Sequence, residues 1–119
     1  MPVLCGGKSG VMAAVSAGVS STGGLVIGLL PEEHTRQSNP HLTVALPTGL
    51  CITRNALIAR AARLMIAIGG GLGTTSEMAL ALPWGKPVLA IHDAPDVDGR
   101  RVFSDESALM LAVYEELTT

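Results

Sequence analysis

The sequence predicts an α/β fold: a three-layer, doubly wound parallel sheet with helices on both faces. Three observations predict it. Short strands alternate with helical segments along the 119 residues. The strands are apolar throughout instead of alternating apolar and polar, as strands covered on both faces are. Two glycine clusters fall where a strand runs into a helix, at the sheet edge where such folds bind ligands.

The elements follow in order. "VLC" (3–5) is a short apolar strand that runs into "GGKSG". "VMAAVSAGVSS" (11–21) reads as a helix with Ser9 as its expected N-cap and Gly23-Gly24 as its stop. "LVIGLL" (25–30) is a buried strand closed by Pro31, and "PEEHTRQSNP" (31–40) is a polar loop bounded by prolines. "LTVALP" (42–47) is the next strand. "ITRNALIARAAR" (52–63) is a helix with Thr53 as expected N-cap. "LMIAI" (64–68) is a strand, followed by a glycine turn and the helix "TSEMALAL" (75–82), which Pro83 stops. "PVLAIH" (87–92) is a strand, "DAPDVDGRR" (93–101) a loop, and "SDESALMLAVYEEL" (104–117) the last helix, capped by Ser104 or Asp105.

Composition sets the bounds. Hydrophobic residues make up 48% and aromatics 3%, so the core must be built from Ala, Val, Ile, Leu and Met. The net charge is −2 with no run of basic residues, which argues against a nucleic-acid surface. Cys5 and Cys51 each lie in or beside an apolar run and read as free thiols of a reducing compartment. No apolar run reaches the roughly 20 residues needed to span a membrane. The N-terminus carries no charged leader before its apolar residues. The expectation is one soluble, cytoplasmic domain over residues 1–119, with no membrane partner.

The stretch "IAIGGGLGTTSEMALAL" (66–82) carries the chemistry. Gly70, Gly71 and Gly73 let backbone N–H groups approach an anion without interference from Cβ. The following helix N-terminus adds unpaired donors and a partial positive charge, and Thr74, Thr75 and Ser76 add hydroxyls. A phosphate or a similar oxyanion is the expected ligand. The plainer alternative is a tight turn with no ligand. The other cluster, "CGGKSG", supplies Gly6, Gly7 and Lys8. It is not a Walker A loop, because the required first glycine falls on Pro2. Both turns are expected at one sheet edge, around a shared pocket, although Lys8 also reads as a solvated lysine. His34, His41 and His92 have no metal-ligand spacing, and "DAPDVDG" is not a calcium loop, because its twelfth position from Asp96 is Ser107. No metal site is expected.

"CGGKSGVMAAVSAG…GGLVIGLLP", "TRN" and "GGGLGTTSEMALAL…GKPVLAI" together resemble the Rossmann-type superfamily often labelled lysine decarboxylase-like. It contains the cytokinin-activating LOG phosphoribohydrolases, the molybdenum-cofactor carrier proteins and relatives of the DNA-processing protein DprA. The signature GGxGTxxE is supplied by Gly70, Gly71, Gly73, Thr74 and Glu77, and the form "GTTSE" with "ALAL" resembles the smaller, carrier-like branch. The resemblance implies a Rossmann-like fold. It also implies that family members open with a further strand and helix that this chain lacks, so the fold is expected to be truncated at its N-terminus. In the hydrolases the signature glutamate and an upstream arginine serve catalysis and substrate binding, and Glu77 and Arg54 match them. A carboxylate would stabilise the positive charge that develops on ribose as an N-glycosidic bond breaks. An arginine would fork onto the phosphate or hold the carboxylate. The plainer readings are Glu77 as an acid at its helix N-terminus and Arg54 as a solvated side chain.

The departures from the hydrolase pattern are Gly69 for Pro, Asn55 for Lys and Arg63 for an acid. They favour a binding protein for a phosphorylated, nucleotide-like ligand, such as a molybdenum-cofactor carrier. No cofactor is required on this reading; a nucleotide or molybdenum cofactor is the bound ligand. The enzyme alternative is a phosphoribohydrolase of nucleoside 5′-monophosphates, and a further alternative is a non-binding remnant of the fold. Ligand specificity is expected from loops 31–41 and 93–100. Relatives pair through helices flanking the sheet, and the small apolar faces of "VMAAVSAGV" and "EMALAL" predict at least a homodimer.

Overall fold

The computed structural model describes residues 1–119 and divides into two compact units, residues 1–58 and 59–119. Each carries one three-stranded, all-parallel sheet. The α/β architecture and the parallel strands follow the sequence pattern. The strands form two three-stranded sheets, however, because β1 and β4 are each paired on one side only.

In the first unit β1 (Val3–Cys5), β2 (Val26–Leu30) and β3 (Val44–Pro47) pair in that order, with Cys5 opposite Gly28 and Ile27 opposite Val44. The helix α1 (Val11–Ser21) makes the crossover from β1 to β2 and packs on both. It ends as the glycine pair predicts: Gly23 takes φ 76° and donates to Ser20 O, while Gly24 donates to Val19 O. Ser9 is not its N-cap. Gly10 holds that position at φ 72°, and no side chain caps the helix. Val26 and Leu30 are fully buried. The turn after β1 passes close over β2: a Cβ on Gly28 would lie 2.7 Å from Gly7 Cα, so glycine is needed in the middle of this strand. The expectation of covered faces fails at β3. This edge strand leaves Val44 and Leu46 exposed.

The first unit ends in α2 (Arg54–Ala61), and the division between the units falls after Ile58. A single 3₁₀ turn, Cys51–Thr53, leads into it. Thr53 is the last residue of that turn, and its hydroxyl donates back to Leu50 O instead of capping α2. The cause is local. Cys51, at φ 52°, tightens the chain one turn before the helix begins.

In the second unit β4 (Met65–Ile68), β5 (Val88–Ile91) and β6 (Arg101–Phe103) pair in order, with α3 (Leu72–Ala81) crossing from β4 to β5. The helix α4 (Glu106–Thr118) closes the chain, capped by Asp105, whose side chain accepts from Ser107 N at 3.0 Å. All of β5 is buried. Val88 and Ala90 pack with Met78 and Ala81 of α3, while Leu89 and Ile91 pack with Leu109, Ala112 and Val113 of α4. One strand between two helices is the three-layer arrangement the sequence predicts. Burying each large apolar side chain here contributes about 1.5–3 kcal/mol. The strand β6 is a departure, because the sequence pattern ends its loop at Arg101 and gives Val102 and Phe103 no element. Three residues, two of them exposed, give no apolar run to read.

Candidate functional site

The second glycine turn lies at the carboxyl end of β4. Gly69 and Gly70 take φ 58° and 109°, which turns the chain from strand into helix within two residues. Gly70 has a further reason to be glycine: a Cβ there would overlap the Thr74 hydroxyl and lie 2.7 Å from Thr74 Cβ. Gly71 differs. It is the N-cap of α3, its φ is −133°, and a Cβ built on it meets nothing within 4 Å. Packing does not require glycine at 71, and the space beside it is open.

The helix begins at Leu72, three residues earlier than the sequence pattern suggested, so Gly73, Thr74 and Thr75 are helical. No side chain caps it and no acid stands in its first turn. The positive end of the helix dipole therefore falls at this turn, beside the open space at Gly71. The hydroxyls of Thr75 and Ser76 act on the backbone. Thr75 Oγ1 donates to Gly71 O at 3.0 Å and Ser76 Oγ to Gly73 O at 2.6 Å, so their hydroxyl protons point into the helix end and not outward as expected. Glu77 is the sixth helical residue, about one and a half turns in. It is half-buried and partnered. That place excludes the role of N-terminal acid.

The first glycine turn is built otherwise. Gly6 and Gly7 are buried. Gly7 N donates to Cys5 Sγ at 3.3 Å, and Gly7 O accepts from Asn39 N at 2.9 Å. A Cβ on Gly6 would overlap Arg54 Nη1, and one on Gly7 (φ 78°) would lie 2.7 Å from Leu30 Cδ2. Arg54 Nη1 donates to Leu29 O at 3.1 Å, while its Nε is buried with no partner. Arg54 is thus a positioned guanidinium under the turn and not a solvated side chain. Lys8 is equally engaged. It pairs with Glu32 and donates to Gln37 Oε1 at 2.9 Å, which removes the solvated reading. The hydrogen bond from Lys8 holds the Glu32 carboxyl below its usual range. The open part of this turn lies further on, at Gly10, where α1 also starts without a side-chain cap. Gly6, Gly7, Lys8 and Arg54 therefore cluster in the first unit, and Gly70, Gly71, Gly73, Thr74, Thr75 and Glu77 in the second.

Sequence reasoning missed two features. Asn39, buried in the polar loop, donates to Lys8 O at 3.1 Å and to Ser16 Oγ at 3.2 Å, and so ties loop 31–41 to the first turn. A serine in an otherwise apolar helix face was its only signal. The other feature is a cleft of about 410 Å³ at the carboxyl ends of β5 and β6. His92 and Asp93 at its mouth take φ 57° and 56°. Non-glycine residues there carry a cost of order 1–3 kcal/mol each, although His and Asp tolerate this region better than most.

Glycine turns that lead from parallel strands into helices define a Rossmann-like α/β protein. The chain belongs to the SLOG cluster 4 family, whose sequence profile matches residues 1–117. An uncharacterized protein of Archaeoglobus fulgidus is 38% identical over 85% of this chain and 66% of its own length. The cytokinin riboside 5′-monophosphate phosphoribohydrolase LOG5 of Arabidopsis thaliana is 33% identical over 82% of this chain. The match takes in 44% of that enzyme, so the chain spans less than half its length. The molybdenum cofactor binding protein of Rippkaea orientalis superposes with a TM-score of 0.87 at 31% identity, over 99% of this chain and 78% of that one. These likenesses support the superfamily and the small, carrier-like branch that the glycine signature suggested. No helix is long and apolar enough to cross a membrane.

Proposed function

We propose that the chain, acting as one nucleotide- or phosphate-binding domain, binds a phosphorylated, nucleotide-like ligand and does not turn it over. The observation that carries this is the start of α3. An uncapped helix N-terminus stands behind left-handed Gly69 and Gly70, with open space at Gly71. Backbone amides at such a terminus supply most of what a phosphate needs. The ligand is a nucleotide or molybdenum cofactor, in keeping with the likeness to a molybdenum cofactor binding protein. Gly70, Gly71, Gly73, Thr74 and Thr75 form the seat. Gly6, Gly7 and Lys8 shape a further anion-facing turn at the start of α1. A second copy of the chain completes the assembly, supported by the exposed apolar Met110, Leu111 and Tyr114 of α4; light scattering at micromolar concentration should give at least a dimer, and a monomer refutes that part.

Calorimetric titration with AMP tests the seat. Gly71→Val should abolish binding while leaving the far-UV circular dichroism unchanged, and unaltered affinity refutes the reading.

The second reading is a phosphoribohydrolase, with Glu77 and Arg54 as the working pair. It is favoured by the half-buried Glu77 beyond the first turn of α3 and by the likeness to LOG5. In it, Glu77 stabilises the positive ribose and Arg54 holds the phosphate or the carboxylate. It ranks second because Gly69 and Asn55 replace the proline and lysine of the hydrolase pattern.

A further inference from the structure

The cleft beyond β5 and β6 has no part in the phosphate seat, yet it adjoins it. Gly69 N donates to Ile91 O at 3.0 Å, and a Cβ on Gly69 would lie 3.4 Å from His92 O. The turn that opens α3 is therefore fastened to the residue that starts the cleft wall. Ile91 and Phe103 contribute apolar surface, and His92, Asp93, Arg100 and Ser104 line the rest. At about 410 Å³ the cleft has the size of a small-ligand pocket.

The charges decide what part of a ligand it suits. Arg100 is already neutralised: its Nη1 lies 2.7 Å from Asp96 Oδ1 and donates to Val97 O at 3.2 Å. Asp93 adds a carboxylate that makes no ion pair. A second phosphate would meet that carboxylate with no spare cation opposite, so the cleft suits an uncharged group. Asp93 only accepts hydrogen bonds, Arg100 only donates them, and Ser104 does both. Such groups around apolar surface match a flat nitrogen heterocycle with donors and acceptors on its edges.

We propose that this cleft seats the heterocycle of the phosphorylated ligand, and that Asp93 selects rings bearing a 2-amino-oxopyrimidine edge, as in guanine or a pterin. A carboxylate accepts two parallel N–H bonds from that edge, whereas the corresponding edge of adenine offers one N–H beside a ring acceptor. This rests on the phosphate seat at α3 and goes beyond it by naming the ring and the residue that reads it. The backbone at Asp93 adds a second line. At φ 56° a glycine would fit without steric cost, so the side chain is carried at a position that does not favour one.

The test titrates the 119-residue chain with GMP, AMP and inorganic phosphate, comparing the unmodified protein with Asp93→Gly and Gly71→Val. Asp93→Gly suits the left-handed backbone and should fold at least as stably. The unmodified protein should bind GMP roughly tenfold tighter than AMP, the discrimination expected of a good bidentate contact. Asp93→Gly should erase that preference and leave the affinity for inorganic phosphate unchanged. A protein that binds phosphate but does not prefer GMP overturns the cleft assignment alone. So does an Asp93→Gly variant that keeps the preference, or one that loses phosphate binding as well. Phosphate binding that is absent, or that Gly71→Val leaves untouched, overturns the seat at α3 and the cleft proposal with it.

Discussion

Arg54 Nη1 occupies the space that a Cβ on Gly6 would need, and from there it donates to the carbonyl of Leu29 at 3.1 Å. Two residues from opposite ends of the first unit thus explain each other: the glycine makes room for the guanidinium, and the guanidinium closes the turn. Gly6→Ala should cost about 1–3 kcal/mol, the range for overpacking a filled site. In an Arg54→Ala background the same change should cost less, by at least about 0.5 kcal/mol of coupling. Met12 Sδ, 2.5 Å from the same Cβ position, keeps the relief partial. Urea denaturation of the four proteins in the cycle measures both quantities. Equal costs in both backgrounds would separate the two residues.

The glycines at 70 and 71 should behave differently. Gly70→Ala places a Cβ against Thr74 at φ 109° and should destabilise the fold by about 1–3 kcal/mol. Gly71→Ala meets open space and should cost less than about 1 kcal/mol, the small loss of a glycine N-cap. Thermal unfolding of the pair checks the order, and a reversal would contradict the geometry of the turn.

The contrast between these glycines also shows what the sequence could tell. The cluster 69–73 announced a strand-to-helix turn, because four glycines in five residues suit neither strand nor helix. It did not tell which glycine serves backbone, packing or open space, since that depends on Thr74 folding back over the turn. The alternation of apolar strands and helices made the α/β architecture and the buried β5 legible. It gave no sign that the parallel strands fall into two three-stranded sheets, because pairing at the outer edges of β1 and β4 is a tertiary property. The strand β6 escaped because three residues carry no pattern. Ser9 and Thr53 have the chemistry of caps, but Gly10 and the 3₁₀ turn at Cys51 took over both helix starts. The cleft was hidden for a related reason. Asp93 and Arg100 read as a solvated loop, and His92 as the end of a strand, until β6 placed Phe103 beside them.

Acid should weaken the first unit through Glu32. Its carboxyl is held below the usual 4.5, first by the hydrogen bond from Lys8. A depressed carboxylate contributes stability that is present above its unfolded value and lost as pH falls through the folded one. Stability should therefore drop below about pH 4.5 more steeply in the unmodified protein than in Glu32→Gln. Denaturation midpoints across that range decide it, and parallel curves would remove the pair from the account.

Asn39 should govern the order of loop 31–41. Asn39→Ala removes the bonds to Lys8 O and Ser16 Oγ and leaves buried polar groups behind, at about 1–3 kcal/mol. Hydrogen exchange should quicken across the loop and at Gly7, while α3 and α4 keep their protection. Uniform change over the whole chain would point to a general loss of stability and not to a pin.

Binding without turnover is tested by time-resolved chromatography of AMP incubated with micromolar protein. Hydrolysis would need Glu77 and Arg54 held in a pre-organised site, where about 1 Å of looseness costs roughly a hundredfold in rate. AMP should be retained by the protein, released only by denaturation and recovered intact, and Gly71→Val should retain none. Release of adenine and ribose 5-phosphate at several per minute or faster, on the order of a slow enzyme, and abolished by Glu77→Ala, would contradict it.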